Sequence, residues 1–152
     1  MKLFKNILLV VEEPIASLDA TLNRAVSLAR ANQAELTLLY VADQPRLGPF
    51  SDRLTVDEVE KRLTEQAMAL IEPALKACQT EWDVTTEVCF GTPFVEIVRN
   101  VLRHNRDLVI KASGYGGAHE YLFGGTDQHL LRKCPCPVWI LHSESAGKYE
   151  NV

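Results

Sequence analysis

The segment from Asp107 to Leu141, DLVIKASGYGGAHEYLFGGTDQHLLRKCPCPVWIL, constrains the fold more than any other part of the chain. It reads as strand, glycine-rich loop, helix, strand. DLVIKA is a short apolar run behind an acidic residue. SGYGG and FGGT are flexible turns that carry hydroxyls, and DQHLLRK sets adjacent leucines between polar residues, as a short amphipathic helix does. CPCP stops that helix, and VWIL continues as an apolar strand. A strand that feeds glycines just ahead of a helix N-terminus can cradle a phosphate. Glycine lets backbone N–H groups approach an anion, and the helix end carries partial positive charge.

The same alternation runs through the whole chain. The pattern predicts strands over Asn6–Val11, Glu35–Val41, Trp82–Phe90, Asp107–Ala112 and Pro137–Leu141. Helices are predicted over Leu18–Ala31, with Ser17 as N-cap; from the capping box Thr55-Val56-Asp57-Glu58 onward; from Thr92-Pro93 to about His104; and over about Gly125–Lys133. Pro73 should kink or interrupt the second helix. Trp82, Val84, Thr86, Val88 and Phe90 fall on one face of the third strand. Strands alternating with helices imply an α/β fold with a doubly wound, five-stranded parallel sheet in a single domain. Ligands of such sheets bind beyond the strand C-termini, where the winding reverses. The candidate site therefore takes in Val11 and Glu12, Val41, and the loop after strand four.

Bulk properties exclude several classes. A chain of 152 residues fits one domain, and 47% hydrophobic with 24% charged residues is not a disordered composition. The net charge of −4 and the lack of a basic face argue against a nucleic-acid partner. Runs such as Ile7–Val11 are far too short to span a bilayer. The N-terminal MKLFKNILLVVEEP has a short apolar stretch followed by Glu12 and Glu13 and no small-residue cleavage site, so it reads as a first strand in a cytoplasmic protein. Cys78, Cys89, Cys134 and Cys136 form no disulfide framework, and C-x-C lacks zinc-knuckle spacing. Reduced, structural thiols and no metal are expected, and a metal or redox site on Cys134 and Cys136, with His129 or His142, is the lesser alternative. His104, His119, His129 and His142 are scattered, Ser113 has no G-x-S-x-G setting, and His119 with Glu120 has no activated nucleophile beside it. No catalytic residue is assigned. Lys111, in a strand that should be buried, either reaches an anion at the site or pairs with Glu12, and the ion pair is favoured.

With these elements in place the chain resembles the universal stress protein family over nearly its whole length. The resemblance rests on KNILLVVEE, LTLLYV, GTPFVEIVR, DLVIKAS and LLRKCPCPVWIL. The wording of DLVIK and TDQHLLRKCP is most similar to the branch with tandem stress domains, although this chain carries one such domain. The resemblance implies a Rossmann-like, adenine-nucleotide-binding type of sheet with order 3-2-1-4-5, a domain over residues 1–143 and a polar tail over 144–152. It also implies two kinds of member, those that bind ATP and those that do not.

Binders of this family carry G-x2-G-x9-G-[ST] after strand four. Here Gly114-x2-Gly117 is present, but only six residues separate Gly117 from Gly124. Anchoring on the strand end instead puts Ala112 and Tyr115 where glycines belong. Gly125 follows Gly124 where Ser or Thr is expected, and Thr126 comes one place later. Glu12 takes the place of the family's Asp, while Val41 matches its apolar contact to adenine. The residues that would hold a cofactor are thus Val11, Glu12, Val41, Ser113, Gly114, Gly117, Gly124, Gly125 and Thr126. The other reading, which the broken motif favours, is that the glycines only serve turns needing positive φ. We expect at most weak binding of ATP or AMP, and a homodimer through Pro137–His142, the apolar edge strand by which the family commonly pairs. The expected function is a non-enzymatic stress-response protein. A ligand-free scaffold for protein contacts is the alternative, and a nucleotide hydrolase ranks below both.

Overall fold

The computed structural model describes residues 2–12, 18–45, 55–78, 81–113 and 125–142. They form β1 (Asn6–Glu12), α1 (Leu18–Asn32), β2 (Glu35–Ala42), α2 (Val56–Cys78), β3 (Val84–Phe90), α3 (Pro93–His104), β4 (Leu108–Ser113), α4 (Gly125–Lys133) and β5 (Val138–His142). The sheet has five strands in the order β3-β2-β1-β4-β5. Every pairing is parallel, with Glu12 beside Val41, Val10 beside Lys111, and Lys111 beside Ile140.

The continuous apolar runs of the central strands follow from burial on both faces. Successive side chains point to opposite sides. Ile7, Leu9, Leu38 and Ile110 therefore meet Leu22 and Val26 of α1 and Ile71 and Leu75 of α2, whereas Leu8, Val10, Leu39 and Val109 meet Ile97 and Val101 of α3 and Leu130 of α4. Each fully buried leucine or isoleucine contributes about 1.5–3 kcal/mol. Trp82, Val84, Val88 and Phe90 all join the α1/α2 side, as their spacing predicts, but the strand itself opens only at Val84. Trp82 precedes it and donates its indole N–H to the Ala34 carbonyl at 2.9 Å.

The capping box forms: the Glu58 N–H donates to the Thr55 hydroxyl at 3.2 Å, and the Thr55 N–H donates to the Glu58 carboxylate at 3.1 Å. Thr92 holds the N-cap position with extended backbone, yet its side chain makes no capping bond. Pro73 does not interrupt α2, which continues through it to Cys78. Pro73 and Ala69, whose carbonyl loses its partner, are both exposed, so water can replace the missing bond. Ser17 and residues 144–152 lie outside the described residues.

A polar network closes the N-terminal end of the sheet. The Asp107 carboxylate accepts the N–H groups of Lys5 at 2.7 Å and Asn6 at 3.0 Å. Arg106, almost wholly buried, donates to Asn100 Oδ1 at 2.9 Å, Asn6 Oδ1 at 2.7 Å and Thr37 Oγ1 at 3.0 Å, and lies 3.8 Å from Glu87 Oε1.

Candidate functional site

The C-terminal end of the sheet carries the second set of buried charges. Lys111 lies on β4 with its side chain on the α3/α4 side of the sheet, and only 5% of that side chain is exposed. Such a cation needs a counter-charge, because removing an ammonium from water unpaired costs several kcal/mol. Two carboxylates provide it. Asp127, in the first turn of α4, places Oδ1 2.5 Å from Lys111 Nζ, and Glu12, at the end of β1, places Oε2 at 3.6 Å. Lys111 also donates to the Ala112 carbonyl at 3.3 Å.

The trio is imperfectly satisfied. Two carboxylates face one ammonium, which leaves a formal charge of −1. Glu12 Oε1 is buried with no hydrogen-bond partner among the described residues. Asp127 Oδ1 touches Lys111, but the angle is too poor for a hydrogen bond, so that contact is mainly Coulombic. Burial raises the Glu12 carboxyl above its usual 4.5; the Lys111 ammonium and a bond from the Thr126 side chain pull it back, and the Asp127 charge adds to the rise.

The structure thus brings Glu12, Lys111 and Thr126 together, as a site at the strand ends requires. Val11 instead turns into the α1/α2 cluster, and Val41 packs with Ile97 at 1% exposure. Ser113 closes β4 in register with His142. Gly125 opens α4 without positive φ, and a Cβ there would meet nothing within 4 Å, so neither strain nor crowding demands a glycine. The expectation that these glycines serve positive-φ turns fails at that position. Gly114, Gly117 and Gly124, with Tyr115, His119 and Glu120, lie outside the described residues. Asp127 was missed by sequence reasoning. The signal that could have found it is Lys111 itself, since a buried lysine in a central strand calls for a carboxylate on the adjoining helix start.

The described part of this end of α4 already carries negative charge. The helix N-terminus attracts anions, but Asp127 supplies its own carboxylate there. Lys111 is already neutralised, and residues 114–124 contain neither lysine nor arginine. A second hollow, about 740 Å³, opens between the end of β2 and the β3–α3 turn, lined by Asp43, Gln44, Pro45, Gly91, Thr92 and Pro93. Gly91 is needed there: its φ of 149° is one that residues with a side chain rarely adopt. No group of three metal-ligating side chains occurs among the described residues.

The family model described as the universal stress protein family matches residues 3–142. The chain belongs to that family. A Staphylococcus aureus (strain USA300) protein named as a universal stress protein is 28% identical over 150 residues, covering 93% of this chain and 86% of the relative. The universal stress protein UspA of Lactobacillus plantarum superposes with a TM-score of 0.74 at 22% identity, covering 91% of this chain and 97% of the other. A family protein of Arabidopsis thaliana, solved with AMP bound, superposes with a TM-score of 0.59 at 16% identity, and 97% of each chain is covered. These structures share the Rossmann-like α/β fold of the universal stress proteins. No described helix is long and apolar enough to cross a membrane.

Proposed function

We propose that this chain is a non-enzymatic universal stress protein that works as a homodimer and binds an adenine nucleotide only weakly. The observation that carries this reading is the buried Lys111–Asp127 pair with Glu12 beside it. Asp127 sets a carboxylate in the first turn of α4, and its charge opposes an anion at that helix end. A net charge of −1 about 5 Å from one phosphate charge costs about 3 kcal/mol at an effective dielectric constant near 20, or roughly two orders of magnitude in affinity. Lys111 is held by two carboxylates and is not free to stabilise a leaving group.

Weak binding is favoured over a ligand-free scaffold by the orphaned Glu12 Oε1. A buried acceptor without a donor costs about 1–3 kcal/mol, and a ribose hydroxyl is a donor of the right kind. The Arabidopsis structure holds AMP, a nucleotide with a ribose and a single phosphate. The dimer is supported by β5, an edge strand of sequence VWILH without a charged gatekeeper. Trp139 is 41% exposed, and an apolar groove of about 500 Å³ runs beside it, lined by Leu28, Ala31 and Ile110 among others. A twofold interface there would pair each Ile140 region with the partner's copy.

Sedimentation tests the assembly. The wild-type chain should run as a dimer at tens of micromolar, and Ile140→Lys should give a soluble, less stable monomer. A wild-type monomer, or a dimer indifferent to the substitution, would sink this part of the proposal.

A further inference from the structure

Cys134 and Cys136 flank Pro135 where α4 gives way to β5. The turn is pinned on both sides. The Cys134 N–H still donates to the Leu130 carbonyl at 3.0 Å, and the Pro137 carbonyl already accepts the Val109 N–H at 3.0 Å. Two residues apart on an extended strand, their Cα atoms would be about 6.6 Å apart, and nothing would bring the sulfurs into contact. Here the bend brings the two Sγ atoms to 3.8 Å, in hydrogen-bond contact. Both are half-buried against the α3/α4 cluster, so neither is a freely mobile surface thiol. Closing a disulfide would move them together by about 1.7 Å.

We propose that Cys134 and Cys136 form a redox-active dithiol that closes to an intrachain disulfide by exchange with small-molecule disulfides. The Cys134 thiolate attacks one sulfur of a disulfide RS–SR. That S–S bond breaks, a mixed disulfide forms on Cys134, and the departing thiolate takes a proton from solvent. Cys136 then releases its proton to water and attacks Cys134 Sγ. The second RS⁻ leaves and is protonated. The protein has lost two hydrogens, and RS–SR has become two RSH.

The electrostatics agree with this division of labour. A bond from the Cys136 S–H favours the thiolate on Cys134 and brings that thiol down to about 7 against the opposing effect of burial. The same bond pushes Cys136 up, together with burial, the Cys134 charge and the nearby Asp107. Burial raises Cys89 to about 11 and also raises Cys78, so neither competes as a nucleophile. At neutral pH Cys134 therefore carries more thiolate than Cys89. Its lower intrinsic nucleophilicity reduces that advantage in rate without reversing it.

The test is incubation of the reduced full chain with glutathione disulfide at pH 7, followed by iodoacetamide, intact mass and tryptic mapping. Wild-type protein should lose two hydrogens, carry the link within the peptide that begins at Cys134, and leave Cys78 and Cys89 alkylated. Cys136→Ser should stop at a stable glutathione adduct on Cys134, and Cys134→Ser should react at least about tenfold more slowly. The proposal is overturned by wild-type protein with all four cysteines alkylated at equilibrium, or by a link that joins two chains. It is also overturned if Cys134→Ser reacts as fast as wild type, or if stoichiometric zinc protects the pair.

Discussion

Arg106 lies two residues ahead of β4 and Lys111 near its end, so a buried cation stands at each end of the sheet. Arg106 has the geometry of a finished scaffold. Its guanidinium meets Asn100, Asn6 and Thr37 at normal hydrogen-bond distances, and Glu87 bonds Asn100 at 2.8 Å from the other side. Burial lowers its pKa and the charges of Glu87 and Glu35 oppose that effect, which leaves it a cation at any ordinary pH. Lys111 has too much counter-charge and too few good bonds: Glu12 Oε1 has no hydrogen-bond partner among the described residues, and Asp127 Oδ1 meets the ammonium only as an ion pair. Buried polar groups are almost always satisfied, so the shortfall at Glu12 sets this end of the sheet apart from the other. The first and last turns of a parallel sheet thus divide the work: one end fixes the strands and the other keeps unspent polarity.

The largest effect should come from breaking the finished end. Arg106→Leu leaves Asn100 Oδ1, Asn6 Oδ1 and Thr37 Oγ1 without their donor. Removing one partner from a buried charged network costs about 3–5 kcal/mol. Urea unfolding should show that loss, and a loss below about 1 kcal/mol would remove the contrast between the two ends.

A smaller effect should come from the unfinished end. The Glu12 carboxyl is raised above 4.5 in the folded protein, so between 4.5 and that raised value the folded state binds more protons than the unfolded one. Stability contributed by Glu12 therefore falls as pH rises through that window and is greatest at its bottom. Glu12→Gln removes this slope. Relative to wild type, the variant should gain stability as pH increases from 4.5 upward, measured by paired denaturation curves. A gap that stays constant, or that closes with rising pH, would mean that Lys111 outweighs burial at Glu12.

The sheet was legible because double-sided burial forces unbroken apolar runs such as ILLVV and LTLLYV, and because the capping box at Thr55 and the proline after Thr92 mark helix starts locally. Pro73 misled because a proline's cost depends on whether its face is wet, which periodicity alone does not state. The site was half legible. Glu12 and Lys111 announced their pairing through one cation in a buried strand. Asp127 did not, since an acidic residue in a first helical turn usually faces water and complements the dipole. The bend that joins Cys134 to Cys136 was likewise invisible, because prolines on either side of a cysteine fix local φ but not where the sulfurs meet.

The central claim is that the chain's own ion pair occupies the place of a bound phosphate. Calorimetric titration with magnesium ATP, comparing wild type with the double variant Gly125→Ser/Asp127→Ser, tests it most directly. The variant restores the family hydroxyl where a side chain has room, and it brings the charge of the Glu12–Lys111 pair to zero. Wild type should bind no tighter than about 1 mM, and the variant at least about tenfold tighter. A micromolar constant for wild type, or a folded variant that binds no better, would contradict the account.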